Sequence, residues 1–259
     1  MALKANRKFV LRLLAGAFIF CILVLVYDRV TWALLRWRIA RDDAASVSLL
    51  LKINPMLVSH EYPLGASALG FAVELDQVGI ARILIEAGAD MYHEDGPFGF
   101  PCNRAARHGS LSMVMCFVQE GYNIEYQGGR YDHGTCLFNA CAGGNPETVK
   151  YLIEMGAKVD KVTDDDGMTP LMGAICDNFD HRDRNGQVET VRLLLRHGAR
   201  IDLKSKAGQT VMDYLENELS RLENVGDRVI THEPGRDYFA LHELGQLLRD
   251  QTRHANDPE

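Results

Sequence analysis

One short phrase closes four segments of this chain: Leu84-Ile-Glu-Ala-Gly88-Ala, Phe117-Val-Gln-Glu-Gly121-Tyr, Leu152-Ile-Glu-Met-Gly156-Ala and Leu194-Leu-Arg-His-Gly198-Ala. The glycines stand 33, 35 and 42 residues apart. Self-similarity at such a period means stacked supersecondary units, each too small to bury its apolar side alone, instead of one globular core. Each phrase reads as a helix end, with apolar residues on one stripe and a Gly where the chain leaves through a left-handed conformation.

A second pattern opens upstream of each stop: Ser67-Ala-Leu-Gly-Phe-Ala72, Phe100-Pro-Cys-Asn-Arg-Ala105, Thr135-Cys-Leu-Phe-Asn-Ala140 and Thr169-Pro-Leu-Met-Gly-Ala174. In the first three units it starts 21 residues before the glycine. Turn residues such as His108-Gly109-Ser110 and Gly144-Asn145-Pro146 separate the two patterns, so each unit is a helical hairpin. In the fourth the spacing is 29, which leaves eight extra residues, Asn178 to Asn185, as a polar insertion expected to protrude as a loop. The links between units also vary: 12 residues from Gly88 to Phe100, 14 from Gly121 to Thr135, 13 from Gly156 to Thr169.

The hairpin resembles the ankyrin repeat, whose Thr-Pro-Leu-His-x-Ala signature Thr169-Pro170-Leu171-Met172-Gly173-Ala174 matches except for Met in the His place. Other copies drift, with Cys136 in the Pro place and Cys102 in the Leu place, while the small residue persists as Ala72, Ala105, Ala140 and Ala174. The resemblance extends less regularly to both sides. Ala44 to Leu51, closed by Asn54-Pro55, reads as an outer helix whose inner partner would cover Val30 to Arg41; Gly208 to Tyr214 opens a final unit. Its partner helix falls at Asp237 to Leu248, with Leu241, Leu244 and Leu248 on one face, and a loop is expected over Glu223 to Gly235.

The N-terminal segment follows membrane rules. Leu13 to Tyr27 carries no charge, and counting from Phe9 gives nineteen residues with Arg12 alone charged. A hydrocarbon core takes roughly 20 apolar residues of helix, and Arg12 can snorkel. Lys4, Arg7 and Lys8 precede the run; Tyr27, Trp32 and Trp37 follow as interfacial aromatics. A cleaved signal peptide is the rival, but no small-residue cleavage site follows Val26. Four basic residues lie on each side of the run, so positive charge does not orient it. A short tail before a long folded domain places the repeats on the extracytoplasmic side of a plasma or inner membrane; buried cysteines without disulfide-like spacing weigh the other way.

The fold class expected is therefore an all-α ankyrin-repeat solenoid of five to six hairpins preceded by one transmembrane helix. Residues 1–29 form a basic flank and single signal anchor. Residues 30–222 hold repeats in units 30–55, 64–90, 97–123, 132–158, 166–200 and 207–222, and 223–259 form a loop, a capping helix and a polar tail.

Charge divides at the same boundary. Residues 1–41 contain eight Lys/Arg and one acid; the remainder has 28 − 8 = 20 basic and 35 − 1 = 34 acidic residues, a balance of −14. Such a domain repels phosphate backbones, which argues against nucleic acid, and would steer a partner bearing a basic patch. Chemistry has no foothold. The cysteines do not pair as Cys-x-x-Cys, no two histidines stand at i, i+4 with an acid between them, and no glycine-rich loop ends in Lys-Ser/Thr. His181-Arg-Asp183 resembles a kinase triplet without its glycine-rich strand, and Asp164-Asp-Asp166 lacks calcium-loop spacing. No catalytic residue, metal, cofactor or small-molecule substrate is expected.

What the resemblance implies is a protein partner on the concave surface, formed by inner helices and tips. Its candidates are Phe71, Glu74, Arg104, Arg107 and Asn139 on the helices, and Tyr92, His93, Tyr126, Arg130, Tyr131, Asp132, Asp164 and Asp165 at the tips. His181 in the insertion is the remaining one. Exposed Tyr and Arg are enriched at hot spots. Among short single-span proteins of this resemblance are bacterial immunity proteins that occlude secreted toxins such as type VI secretion phospholipases; the alternative is a membrane-tethered adaptor that recruits a cytosolic protein.

Overall fold

The structure, a computed structural model, describes residues 30–59, 65–128, 134–176, 184–225 and 241–251. They form twelve helices and, among the described residues, no strand. In chain order these are α1 (30–40), α2 (Ala44–Ile53), α3 (Ala68–Glu74), α4 (Val78–Glu86), α5 (Pro101–His108) and α6 (Leu111–Gln119). They continue as α7 (Cys136–Ala142), α8 (Pro146–Glu154), α9 (Pro170–Ile175), α10 (Arg184–Arg196), α11 (Val211–Val225) and α12 (241–251). Odd-numbered helices from α3 to α11 stack on one another, and even-numbered ones from α2 to α10 stack behind them, so the described residues form an all-α solenoid of helical hairpins.

The repeated glycines close four outer helices alike. Gly88, Gly121, Gly156 and Gly198 have φ of 94°, 89°, 91° and 81°. At each, the residue after Gly donates to the carbonyl five positions back (Ala89 to Leu84, Tyr122 to Phe117, Ala157 to Leu152, Ala199 to Leu194), and the Gly itself donates to the carbonyl three back. That is the Schellman pairing, which satisfies orphan carbonyls. A Cβ at any of the four would meet nothing within 4 Å, so the left-handed backbone alone calls for Gly. The residues whose carbonyls accept, Leu84, Phe117, Leu152 and Leu194, are fully buried. Each such burial contributes about 1.5–3 kcal/mol.

Inner helices start with Ser67, Thr135 and Thr169 capping the N–H three residues on, while Phe100 relies on Pro101 at the first position. Ala72, Ala105, Ala140 and Ala174 are buried where these short helices meet. A hydrogen-bond ladder joins the segments behind the glycines. The side chain four residues past one glycine accepts the N–H two residues past the next: Tyr92 Oη from Asn123 (2.9 Å), Glu125 Oε1 from Lys158 (2.8 Å), Asp160 Oδ1 from Arg200 (3.0 Å). At the opposite, short turns, Asn145 Nδ2 donates to Ala106 O and Arg107 O, satisfying carbonyls at the end of α5.

Both ends depart from the regular repeat. Leu35 and Ile39 of α1 join the common core. At the other end α11 runs to Val225, three residues past the expected unit end, because the apolar spacing Leu215, Leu219, Leu222 carries on; Glu223 to Val225 of the expected loop are therefore helical, and the rest of it lies outside the described residues. Leu241, Leu244 and Leu248 of α12 are buried, and a Cβ on Gly245 would sit 3.3 Å from Leu215. Of the insertion, Arg184 and Asn185 already belong to α10, and 177–183 lie outside the described residues. Among the described residues no helix is long and apolar enough to cross a membrane; the span expected within 1–29 lies outside them.

Candidate partner-binding surface

Five inner-helix candidates fall on one diagonal. Counting from the x position of the signature, Arg104 and Asn139 each meet the residue three beyond x in the preceding repeat, while Phe71 meets Arg36 of α1. The Arg36 guanidinium lies 5.1 Å above the Phe71 ring. Glu74 Oε2 is 3.7 Å from Arg104 Nε, and Arg107 Nε donates to Asn139 Oδ1 at 3.1 Å. One turn of α-helix separates x from x+3, so each repeat offers one side chain forward and one back. In the next copy both positions are small, Ala142 and Gly173. There the Phe138 ring takes the space, since a Cβ on Gly173 would stand 2.7 Å from it.

Burial along this line is uneven. Glu74 is 54% exposed, whereas Arg104 is 7% exposed and Asn139 is buried, its Nδ2 donating to Thr135 O. Arg104 was expected to face a partner; instead it lies inside, where Nη2 donates to Gly70 O and stands 3.3 Å from Asp95 Oδ2. Asp95 is fully buried and accepts the Ser67 N–H at 2.7 Å. A Cβ at Gly70 would come 1.6 Å from its Oδ2, which explains Gly in the signature's His place. Burial pushes the Asp95 carboxyl above the ordinary carboxylate range, against the Ser67 and Arg104 contacts, and pushes Arg104 down against Asp95 and Glu74. Arg104 keeps its charge regardless. His93 sits at this pair, its Nε2 3.0 Å from Gly65 O and 3.9 Å from Asp95 Oδ1; facing a carbonyl, that nitrogen carries the proton.

The tip tyrosines are also engaged in packing. Tyr92 stacks on Tyr122 at 4.8 Å, and Tyr126 meets Tyr92 at 4.7 Å and the edge of Phe100 at 5.1 Å. Both are half-buried, so each offers a partner only part of its ring. Asp164 and Asp165 are exposed on a hairpin tip closed by Thr163 and Met168, and Lys206 of the next repeat donates to Asp164 O at 2.5 Å. Arg130, Tyr131, Asp132 and His181 lie outside the described residues.

Sequence reasoning missed Arg36: with Leu35 and Ile39 in the places of Leu69 and Val73, and Asp42 in that of Asp76, it stands one residue before x, where the signature flags no contact. It missed Asp95 too, for a carboxylate in a loop carries no sign of burial. Cys102 and Cys136 meet at 3.0 Å in the core, and burial drives the Cys141 thiol upward and that of Cys176 up to about 12. A groove of about 310 Å³ between α2 and α4, lined by Leu51, Lys52, Ile83 and Glu86 among others, is apart from the diagonal.

The family model for ankyrin repeats matches residues 103–205 in three copies. The repeats are ankyrin repeats. The ankyrin-repeat domain of Bcl-3 shares the fold with a TM-score of 0.63 at 22% identity, over 84% of this chain and 85% of that one. An ankyrin-repeat domain from Acinetobacter baumannii gives 0.60 at 25% identity, over 83% and 97%. Among curated proteins, the mouse B-cell lymphoma 3 protein homolog is 26% identical over 63% of this chain, and mouse ankyrin repeat and SOCS box protein 11 is 30% identical over 44%. The chain spans only 35% and 31% of their respective lengths. Ankyrin repeats suggest protein partners.

Proposed function

We propose that the chain is a membrane-anchored, non-catalytic module that captures one protein partner on the inner-helix face and adjoining tips of its ankyrin stack. The observation that carries this reading is the line of contacts Arg36/Phe71, Glu74/Arg104, Arg107/Asn139, which ties four successive repeats together and leaves Phe71, Glu74 and Arg107 accessible while Arg104 and Asn139 are buried. A surface ordered before the partner arrives loses little side-chain entropy on binding. Glu74, Asp164 and Asp165 give it exposed negative charge, in keeping with the −14 balance beyond residue 41 and with a partner bearing a basic patch.

The apolar run of residues 9–27 supports the anchor, which would confine the search for a partner to the membrane plane. On this reading the mechanism is steric: the partner is held and one of its faces covered. Neutralising a secreted lipid-cleaving toxin is the version for repeats outside the membrane; recruiting a cytosolic protein is the version for repeats inside. A reporter fused after Glu259, active on one side only, separates them.

The capture itself is tested with the full chain in detergent, comparing parent with the Glu74→Lys, Arg107→Glu double variant. Proteins bound specifically by the parent are expected to drop by roughly tenfold or more, as loss of two central charged contacts implies, with the circular dichroism spectrum unchanged. Equal capture by both proteins would rule out the inner face.

A further inference from the structure

Solenoids require terminal repeats with a polar outer side, since the last unit has no neighbour to cover it. The C-terminal end obeys: α12 buries Leu241, Leu244 and Leu248 and exposes His242, Glu243, Gln246, Arg249, Asp250 and Gln251. The N-terminal end does the reverse. Leu35 and Ile39 of α1 face the stack, while Val30, Leu34 and Trp37, on the opposite side at helical spacing, are exposed. In α2, Val47 and Leu51 face inward and Leu49 and Ile53 outward, followed by Met56. The exposures are large: 43% for Trp37, 61% for Ile53 and 75% for Met56. Five apolar side chains from the two helices of the first repeat, with Met56 from the turn after them, are thus exposed at this end.

We propose that this open end is a docking face for the lipid bilayer, seating the first repeat in the headgroup and upper acyl region. The inference rests on the membrane-anchored reading and says which part of the folded stack touches lipid. Three observations select lipid over another protein. The apolar run of residues 9–27 ends three residues before Val30, so the chain delivers this face to the membrane surface. The face is edged by cations: the Arg38 and Arg41 guanidinia lie 4.6 and 4.2 Å above the Trp37 ring, and Arg36 of α1 and Lys52 of α2 are exposed on the same two helices. Asp43, paired with Arg38 at 2.7 Å, and Asp42 are the acids at the turn. Trp, Leu and Ile on one side with Arg and Lys around them is the composition of an interfacial helix on anionic lipid. Finally, residues 1–41 carry +7 against −14 for the remainder, so an anionic surface attracts this end and repels the others.

The chain has two tryptophans, which makes the face directly readable. Trp37 lies on it, and Trp32 packs against the core. The full chain carrying Trp32→Phe is reconstituted into phosphatidylcholine–phosphatidylglycerol vesicles, with or without lipids brominated high on the acyl chain. Trp37 emission is expected to be roughly halved by the brominated lipid and insensitive to aqueous iodide, as for an indole at the interface. The Trp37→Phe chain, which retains Trp32, should respond less to bromine. Adding Leu49→Glu and Ile53→Glu to the first chain should expose Trp37 to iodide. If Trp37 is quenched by iodide and not by bromine, the face lies in water and the proposal fails. Shielding from both quenchers also overturns it, because protein then covers the face, whether residues 1–29 folded back or a second copy. Either failure leaves the anchor reading standing as long as the chain resists alkaline extraction. Alkaline release, in contrast, sinks the anchor whatever Trp37 reports.

Discussion

Replacing Arg104 with Met separates a contact made to a partner from a contact that holds the stack. The guanidinium is 7% exposed and 3.3 Å from the fully buried Asp95 carboxylate. At an effective dielectric near 20 the bare attraction is about 5 kcal/mol, most of it cancelled by the desolvation of two charges. The single change leaves Asp95 buried with only the Ser67 N–H and the His93 ring, and such an uncompensated charge costs about 3–5 kcal/mol. With a urea slope near 2 kcal/mol/M, the unfolding midpoint should fall by about 1.5 M or more, read by far-ultraviolet circular dichroism on the full chain in detergent. The Asp95→Asn, Arg104→Met double variant removes both charges and keeps an acceptor for Ser67, so it should unfold later than the Arg104→Met single variant. The pH sign follows. Without its cation, Asp95 takes up a proton in the folded state at a higher pH than in the parent. Below that pH no buried charge remains, so the variant's deficit should narrow on acidification. A midpoint equal to the parent's, with partner capture lost, would refute the structural role and return Arg104 to the binding surface.

Other expectations follow from the same packing. Asp160→Ala removes the acceptor for the Arg200 N–H and should lower stability by about 0.5–1.5 kcal/mol, at the low end because water can replace it; a urea midpoint unmoved beyond error would mean the ladder of tip hydrogen bonds adds nothing. Ala140→Trp places an indole where α7 meets α5 and α9 and should cost roughly 1–3 kcal/mol or more in the same titration. Asp43 caps α2 by accepting the Ser46 N–H, and hydrogen bonding with the Ser46 side chain, then with that N–H, holds its carboxyl below the usual range. Its folded value is depressed, so the cap is intact above the unfolded value and is lost as pH falls through the folded one. Hydrogen exchange at the start of α2 should speed up below about pH 4 in the parent. In Asp43→Asn that acid-induced change should be absent.

The repeat was legible because its signals are local. A glycine in a left-handed cap, a Ser or Thr that caps a helix and a small residue between close helices are each forced by backbone geometry, so they recur at readable spacing. The candidate site was legible only in position. The x residues of the signature do lie along one line, yet whether a side chain there reaches solvent depends on its counterpart one repeat earlier. Glu74 is displayed and Arg104 is not, although both were read from the same register. The decisive partner of Arg104 is Asp95, in a link between repeats where no periodicity operates. The tyrosines were misjudged for a related reason. An aromatic at a tip resembles a hot spot, but the stacking of Tyr92, Tyr122 and Tyr126 uses those rings to join adjacent repeats.

The two ends of the stack bear on orientation as well. A terminal repeat that only needed solubility would be polar, as α12 is, and six exposed apolar side chains at the other end would be a liability in water. Charge points the same way. The basic, apolar end and the acidic remainder have opposite preferences at an anionic surface, so on the proposed docking a field that drew α1 toward lipid would push Asp164, Asp165 and the later repeats away from it. Attraction at one end and repulsion along the rest would hold the inner-helix diagonal clear of the headgroups, open to a partner approaching from the aqueous side. High salt should relax this posture without releasing the chain, because screening weakens the charges and leaves the apolar contacts of Trp37, Ile53 and Met56 in place. Distances from a label at Lys206 to the bilayer surface, measured by energy transfer at low and high salt, test it: a distance that does not shorten as salt rises would show that charge has no part in holding the repeats off the membrane.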